Sequence, residues 1–349
     1  MLDDKNVLEQ RDSEHTLEST AHQFEQAHLP VEVLSPDHDG REITKIVVAG
    51  MGGSALAALL AKTWLDSELA IPFEIVRSYS LPTYVDYNTL VIVSSCSGNT
   101  EETLACFEDA RKQFAQIAVI TGGGELLKVA EKNEIACVVL PKLAIQPRML
   151  TIAQLRALTA LLAHFGIVNY DRFGELSETA QWLARESQAW ESTVTTDKNY
   201  AKQLALFAVG KTPVFYGGPL MKSAAYKWKI SWNENAKNVA FWNEYPEFNH
   251  NEFIGWSSHP IEKPFAVFDI VSDLEYPQVL KRMTVSDRLL SGMRPKAQTI
   301  RVKGDSVLKQ LLWANILADF TSIYVGILNN VDPGPVELAN KLKEALRQD

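Results

Sequence analysis

The sequence predicts an α/β protein made of two doubly wound parallel-sheet domains. Three observations carry this expectation. The chain has 349 residues of which 46% are hydrophobic, more than one ordinary core accommodates. Short β-branched runs alternate with helical segments, the rhythm of parallel strands joined by helices. Two passages in which a strand meets a Gly-Gly turn and then a small-residue helix, one in each half, resemble each other loosely.

The elements follow in order. Helical spacing runs from the N-terminus to Leu29. Five runs then read as strands buried on both faces: Lys45-Ile46-Val47-Val48-Ala49, Phe73-Glu74-Ile75-Val76, Leu90-Val91-Ile92-Val93-Ser94, Ile117-Ala118-Val119-Ile120 and Ala136-Cys137-Val138-Val139-Leu140. An apolar helix from Ile152 to Phe165 and a polar helical stretch from Asp171 to Lys198 place the expected boundary between a domain of residues 1–170 and one of 171–349. The second domain repeats the pattern, with buried strands at Pro213-Val214-Phe215-Tyr216, Val239-Ala240-Phe241, 265–270 and 298–302. A last helix opens at Pro335 and carries an apolar stripe through Val336, Ala339, Leu342 and Leu346.

Composition narrows the partners. With 34 basic and 43 acidic residues the formal charge is −9, and no Lys/Arg run would track nucleic acid or an anionic membrane. No stretch reads as a membrane span of roughly 20 apolar residues. The three cysteines, Cys96, Cys106 and Cys137, suit neither a disulfide framework nor a zinc site, and no metal is expected. The polar N-terminal segment lacks a signal-peptide core, so a cytoplasmic location is expected.

Three segments could carry chemistry. Gly50-Met51-Gly52-Gly53-Ser54 joins a buried strand to a helix, where free N–H groups and the dipole favour an anion; the plainer reading is a tight turn that binds nothing. Ser94-Ser95-Cys96-Ser97-Gly98-Asn99-Thr100 also ends a strand and opens a helix, and its hydroxyls suit a phosphate. Its competitor is a capping box made by Asn99 and Glu102. A thiolate at Cys96 among N–H donors is a further alternative. Asn233-Glu234-Asn235-Ala236-Lys237 and Pro246-Glu247-Phe248-Asn249-His250-Asn251-Glu252 crowd carboxylates, amides and a histidine around aromatic residues, which suits proton transfer. A solvated acidic loop is the plainer alternative.

Taken together these segments resemble the bifunctional phosphoglucose/phosphomannose isomerase family, whose members contain two sugar-isomerase (SIS) domains. The likeness runs from about residue 44 through Val331-Asp332-Pro333-Gly334-Pro335-Val336 to Lys341-Leu342-Lys343. It implies two flavodoxin-like, α-β-α sandwich SIS domains. It also implies isomerisation of glucose 6-phosphate to fructose 6-phosphate through a cis-enediol with no cofactor, the mannose epimer being left open.

Residue by residue, the resemblance makes Glu234 the base. It makes His250 the ring-opening histidine supplied across a homodimer interface, Arg148 the arginine that stabilises the enediol charge, and Lys341 the lysine near the ring oxygen, with Lys343 as competitor. Gly52 and Gly53 match the loop that approaches the sugar, and Ser54, Ser95, Ser97 and Thr100 match the phosphate-binding hydroxyls. The chain departs from the family at Cys96, where an aromatic residue is usual, and at Gly334, where Thr is usual. A non-catalytic sugar-phosphate-binding protein is the alternative from another functional class.

Overall fold

The computed structural model describes residues 1–141, 145–258 and 264–346. They form two compact units, one of residues 23–183 and one of 1–22 together with 184–349. The division falls inside the helix Asp171–Gln188, whereas the sequence places the boundary at its start. Residues 1–22 belong with the second sheet, and the physical reason is a buried cation. Lys202 Nζ donates to Asp3 Oδ1 at 2.9 Å and to the carbonyls of Ser192 and Val194 at 2.9 and 2.7 Å. A fully buried ammonium needs such partners, and Asp3 supplies the countercharge.

In the 23–183 unit, strands β1 (Lys45–Gly50), β2 (Phe73–Val76), β3 (Thr89–Ser95), β4 (Gln116–Thr121) and β5 (Ala136–Val139) make one parallel sheet in the order 2-1-3-4-5. This is the flavodoxin-like order, and it reverses direction between β1 and β3. Val47, Ala49, Val91, Val93 and Val119 pack with Cys106, Phe107 and Ala110 of helix Glu101–Lys112 and with Leu126 and Ala130 of helix Gly124–Lys132. Helices Gly52–Leu65 and Thr151–His164 pack on each other over the opposite face.

In the other unit, β6 (Thr212–Gly217), β7 (Phe241–Glu244), β8 (Phe265–Val271) and β9 (Gln298–Arg301) form a parallel sheet in the order 7-6-8-9. Phe215 and Phe268 stack at 5.2 Å, and Trp228 and Trp232 of helix Lys222–Asn235 cover them. The strand expected at 239–241 lies instead at 241–244. It is an edge strand, with Val239, Phe241 and Trp242 exposed rather than buried.

Two further expectations change. The N-terminal helical stretch breaks into Lys5–Arg11, Thr16–Ala21 and the 3-10 turn Gln23–His28. The break comes at Asp12, whose carboxylate accepts from the amides of Thr16 and Leu17 at 2.8 and 2.9 Å, followed by His15 with φ of 52°. Second, the 22-residue helix Val307–Leu328 is long and apolar enough to cross a membrane. In this fold it is the core helix of its unit, 94% of its most apolar window being buried. Its Asp319 accepts from Lys227 Nζ at 2.8 Å and Ser231 Oγ at 2.7 Å.

Candidate active site

The 23–183 unit gathers three of the sequence segments at one place. Gly50 and Ser94 are partners in the β1–β3 register, so the 50–54 and 94–100 loops emerge side by side at the carboxyl edge of the sheet. That is the switch point, where open α/β sheets bind ligands. Gly53 admits a third segment, because a Cβ there would stand 3.2 Å from the Pro147 carbonyl and 3.5 Å from Arg148 Cα. Arg148, on the 3-10 turn Pro147–Met149, is buried.

Gln26 brackets this turn, donating to the Met149 carbonyl at 2.8 Å and accepting from the Ala153 amide at 3.0 Å. Gln26 escapes a sequence reading because its partners lie more than a hundred residues away. Nothing local marks it.

The hydroxyls of the second loop face one another. Ser95 Oγ lies 2.9 Å from Thr100 Oγ1 and 3.5 Å from Ser97 Oγ, and it accepts from the Gly98 amide at 3.1 Å. The Asn99–Glu102 capping box does not form. Thr100 is the N-cap of helix Glu101–Lys112 and gives it no side-chain cap, while Asn99 Oδ1 accepts from the Glu125 amide at 3.0 Å. Ser54 sits buried in the first turn of helix Gly52–Leu65, which likewise lacks a side-chain cap. Two uncapped helix N-termini and a set of short hydroxyls thus flank the same edge, an arrangement suited to an anion. Burial pushes the Cys96 thiol up, against the thiolate alternative.

The counterpart turn of the other unit is filled by the protein itself. At the end of β6, Glu275 packs against Gly218 and its carboxylate accepts from the Leu220 amide at 3.0 Å. Burial pushes the Glu275 carboxyl up, and backbone donation from Leu220 and Tyr276 opposes that. The second copy of the internal repeat is therefore a turn occupied by the protein's own carboxylate.

In the unit that holds the second sheet, Glu234 is the penultimate residue of helix Lys222–Asn235 and is half-buried. Lys237, at φ of 51°, turns back so that Nζ donates to the Glu234 carbonyl at 2.6 Å and to the Pro333 carbonyl at 3.1 Å. Asn235 Nδ2 donates to Ser322 Oγ at 2.9 Å, fixing the last turn against helix Val307–Leu328.

His250 ends the 3-10 turn Glu247–His250 and is exposed. Its loop is held by Asn249 Nδ2 on Ser286 Oγ at 2.7 Å and by Glu252, whose carboxylate accepts from Asn243 Nδ2 at 2.7 Å and from the Tyr216 hydroxyl. A cleft of about 370 Å³ opens beside this loop, lined by Asn249, Phe253, Lys281, Arg282, Ser286 and Leu289 among others.

The structure does not bring Glu234 and His250 of one chain together. Helix Lys222–Asn235 starts beside the carboxyl edge of the sheet and runs back over 14 residues, about 21 Å at 1.5 Å per residue. Glu234 therefore lies at the amino edge. β7 then returns parallel to β6 and delivers 245–252 to the carboxyl edge. Lys341 stands exposed on helix Glu337–Leu346, as does Lys343, and among the described residues Lys341 has no hydrogen bond or ion pair. Of the expected apolar stripe, Val336 precedes that helix and Ala339, Leu342 and Leu346 are exposed. No cluster of three or more potential metal ligands occurs among the described residues.

With this geometry in hand, comparison with known proteins is specific. Residues 41–162 match the SIS domain, and residues 197–346 match the bacterial phospho-glucose isomerase C-terminal SIS domain. A bifunctional phosphoglucose/phosphomannose isomerase from Caldicellulosiruptor bescii is 33% identical over 330 residues, covering 93% of this chain and 96% of that protein. This chain belongs to the bifunctional phosphoglucose/phosphomannose isomerase family. An Aquifex aeolicus protein of the same name is 30% identical over 304 residues, 87% of this chain and 90% of its own length. The fold matches a glucose-6-phosphate isomerase-like protein from Thermus thermophilus with a TM-score of 0.65 at 16% identity, covering 98% of each chain. Both units thus fall within SIS architecture, as the sequence leads one to expect.

Proposed function

We propose that the chain interconverts a hexose 6-phosphate aldose and fructose 6-phosphate, acting in the cytoplasm as a homodimer. The observation that carries this reading is the convergence of Ser54, Ser95, Ser97, Thr100 and the buried Arg148 on one sheet edge between two uncapped helix N-termini. Such a site suits a phosphate ester, and family membership supplies the reaction.

The carboxylate of Glu234 removes the C2 proton of the open-chain aldose, and the released electron pair forms the C1=C2 enediol as O1 takes up a proton. Return of the proton to C1, with O2 becoming the ketone, gives the ketose. Arg148 offsets negative charge that develops on the enediol oxygens, a contribution that is often large. His250 of one protomer serves ring opening in the other, a division of labour supported by its exposure and by its separation from Glu234 within one chain. Lys341 acts at the ring oxygen. Gly52 and Gly53 let the backbone approach the sugar. The proton shuttle uses side chains alone.

The test is conversion of fructose 6-phosphate to glucose 6-phosphate followed spectrophotometrically. Glu234→Gln is expected to cut kcat by about 10² or more, because an amide does not accept the proton. Undiminished turnover in that variant refutes the assignment of the base. Absence of turnover in the wild-type chain that still binds sugar phosphate leaves a binding protein in its place.

A further inference from the structure

The second sheet ends in two unlike edges. On one side β9 exposes Thr299 and Arg301 between Lys296 and Lys303, polar and cationic residues of the kind that keep a sheet edge from pairing. On the other side β7 exposes Phe241 by 54% and Trp242 by 36%, and Val239 just before it by 63%. No lysine, arginine or proline lies within this strand. An apolar edge exposed in this way is a template for another strand.

The outward side of β7 follows from its ladder. The Tyr245 amide donates to the Gly217 carbonyl at 2.9 Å, so residues 241, 243 and 245 turn their backbone groups toward β6, and residues 242 and 244 turn theirs away. The Glu244 amide is satisfied within the chain by Asn243 Oδ1 at 2.8 Å. Among the described residues β7 pairs with β6 alone, which leaves the Trp242 N–H and C=O facing outward.

β7 also joins the two ends of the proposed chemistry. Glu234 lies eight residues before Trp242, at the amino edge of the sheet, and His250 eight residues after it, at the carboxyl edge. Charge runs the same way. Lys211 and Lys237 stand at the amino end, where Asn238 Nδ2 donates to the Lys211 carbonyl at 3.1 Å. Glu244 and Glu247 stand at the carboxyl end, the first paired with Lys222 at 3.2 Å.

We propose that a second copy of this chain pairs with β7 antiparallel, edge to edge about a two-fold axis at Trp242, joining two four-stranded sheets into one of eight. The proposal deepens, and rests on, the reading of Glu234 and His250 as a site shared between chains. The arrangement is self-complementary. It lets the two copies of Trp242 exchange both backbone hydrogen bonds and sets the lysine end of one strand against the glutamate end of the other. It also brings the Glu234 end of each chain beside His250 of the partner subunit. A parallel pair would bring like ends, and like charges, together.

The experiment uses the full chain. Sedimentation equilibrium gives the dimer dissociation constant of the wild type, Phe241→Lys and Trp242→Pro, with circular dichroism to check folding. Of the backbone groups, Trp242→Pro removes only the N–H that faces away from β6. Each variant is expected to raise the constant about 100-fold or more, because the loss is counted twice across the axis. Turnover is expected to fall with it and to recover as protein concentration rises.

Trp242→Cys tests the register without dissociating the dimer. Residues paired on the axis stand about 5.5 Å apart between Cα atoms, within disulfide reach. Mild oxidation is expected to link this variant into a covalent dimer but not Val239→Cys, whose copy would lie about 20 Å away by strand rise. An unchanged dissociation constant in both edge variants, no preference for cross-linking at 242 over 239, or a monomeric wild type overturns the proposal, the last leaving the edge to a different protein. Monomeric variants that keep full turnover retain the β7 interface and refute the shared site. A dimer insensitive to both edge variants, in which Glu234→Gln and His250→Ala complement each other, retains the shared site and refutes the β7 interface.

Discussion

Glu234 and His250 stand at opposite edges of the second sheet, separated by a 14-residue helix running one way and by β7 running back. A site that uses both draws them from two chains. Glu234→Gln and His250→Ala are each expected to be nearly inactive alone. Mixed after reversible dissociation, they are expected to recover roughly a quarter of wild-type activity, since half the dimers are mixed and each holds one intact site of two. Failure of the mixture to exceed its components excludes the shared site.

The hydroxyl loop predicts a binding defect. Ser95→Ala removes the oxygen that lies 2.9 Å from Thr100 Oγ1 and accepts from the Gly98 amide. KM for the sugar phosphate is expected to rise by about tenfold or more with a smaller change in kcat, the pattern of a lost ground-state contact to a charged group. Steady-state kinetics on Ser95→Ala and Thr100→Val read this directly. An unchanged KM in both places the phosphate elsewhere.

The buried pair Lys227–Asp319 predicts a stability defect with a specific rescue. Both side chains are fully buried, so Asp319→Ala leaves an ammonium without its countercharge, at a cost of about 3–5 kcal/mol. Replacing both members, as Lys227→Met with Asp319→Leu, is expected to recover most of that loss. Urea denaturation of the three proteins measures the difference.

Asp269 predicts the pH dependence of the same unit. Burial pushes its carboxyl up from 3.8 to about 7, Arg294 opposing the rise and Asp287 adding to it. The folded state therefore holds this proton more tightly than the unfolded chain. The contribution of Asp269 to stability is greatest below about pH 4, falls as pH rises to about 7, and is level above that. Asp269→Asn is expected to remove this slope, raising Tm at pH 8 relative to the wild type more than at pH 4. Parallel slopes in the two proteins would refute the assignment.

Much of the fold is readable because its strands are buried on both faces and rich in Val and Ile, a pattern that survives without tertiary information. The sequence places β7 two residues early because Phe241 and Trp242 look like core residues but sit at a sheet edge. Helix Val307–Leu328 reads as too interrupted for a membrane-length element, since Lys309 and Asp319 break its apolar run; the interruption at Asp319 is absorbed by Lys227 from a helix ninety-two positions away.

The site shows the same limit. The Gly-Gly and hydroxyl loops announce themselves locally, and β1–β3 register brings them together as that topology requires. Gln26 and Lys237 act through carbonyls that only folding brings near. The near-repeat of the Gly-Gly turn carries no hint that Glu275 occupies its second copy, because the carboxylate arrives from the end of a different strand.

The clamp of Lys202 on Asp3 has a consequence for how the chain is made. A ribosome releases residues 1–22 before 23–183, yet the unit they complete is not synthesised until 184–349 follow. The 23–183 unit is contiguous and emerges in the interval, which lasts on the order of 10–30 s at usual elongation rates. During that time the leading segment waits with Asp3 unpaired. The Lys202 ammonium finds its buried countercharge only when residues 1–22 meet the segment that contains Lys202, so closure of this unit follows synthesis of the 23–183 unit.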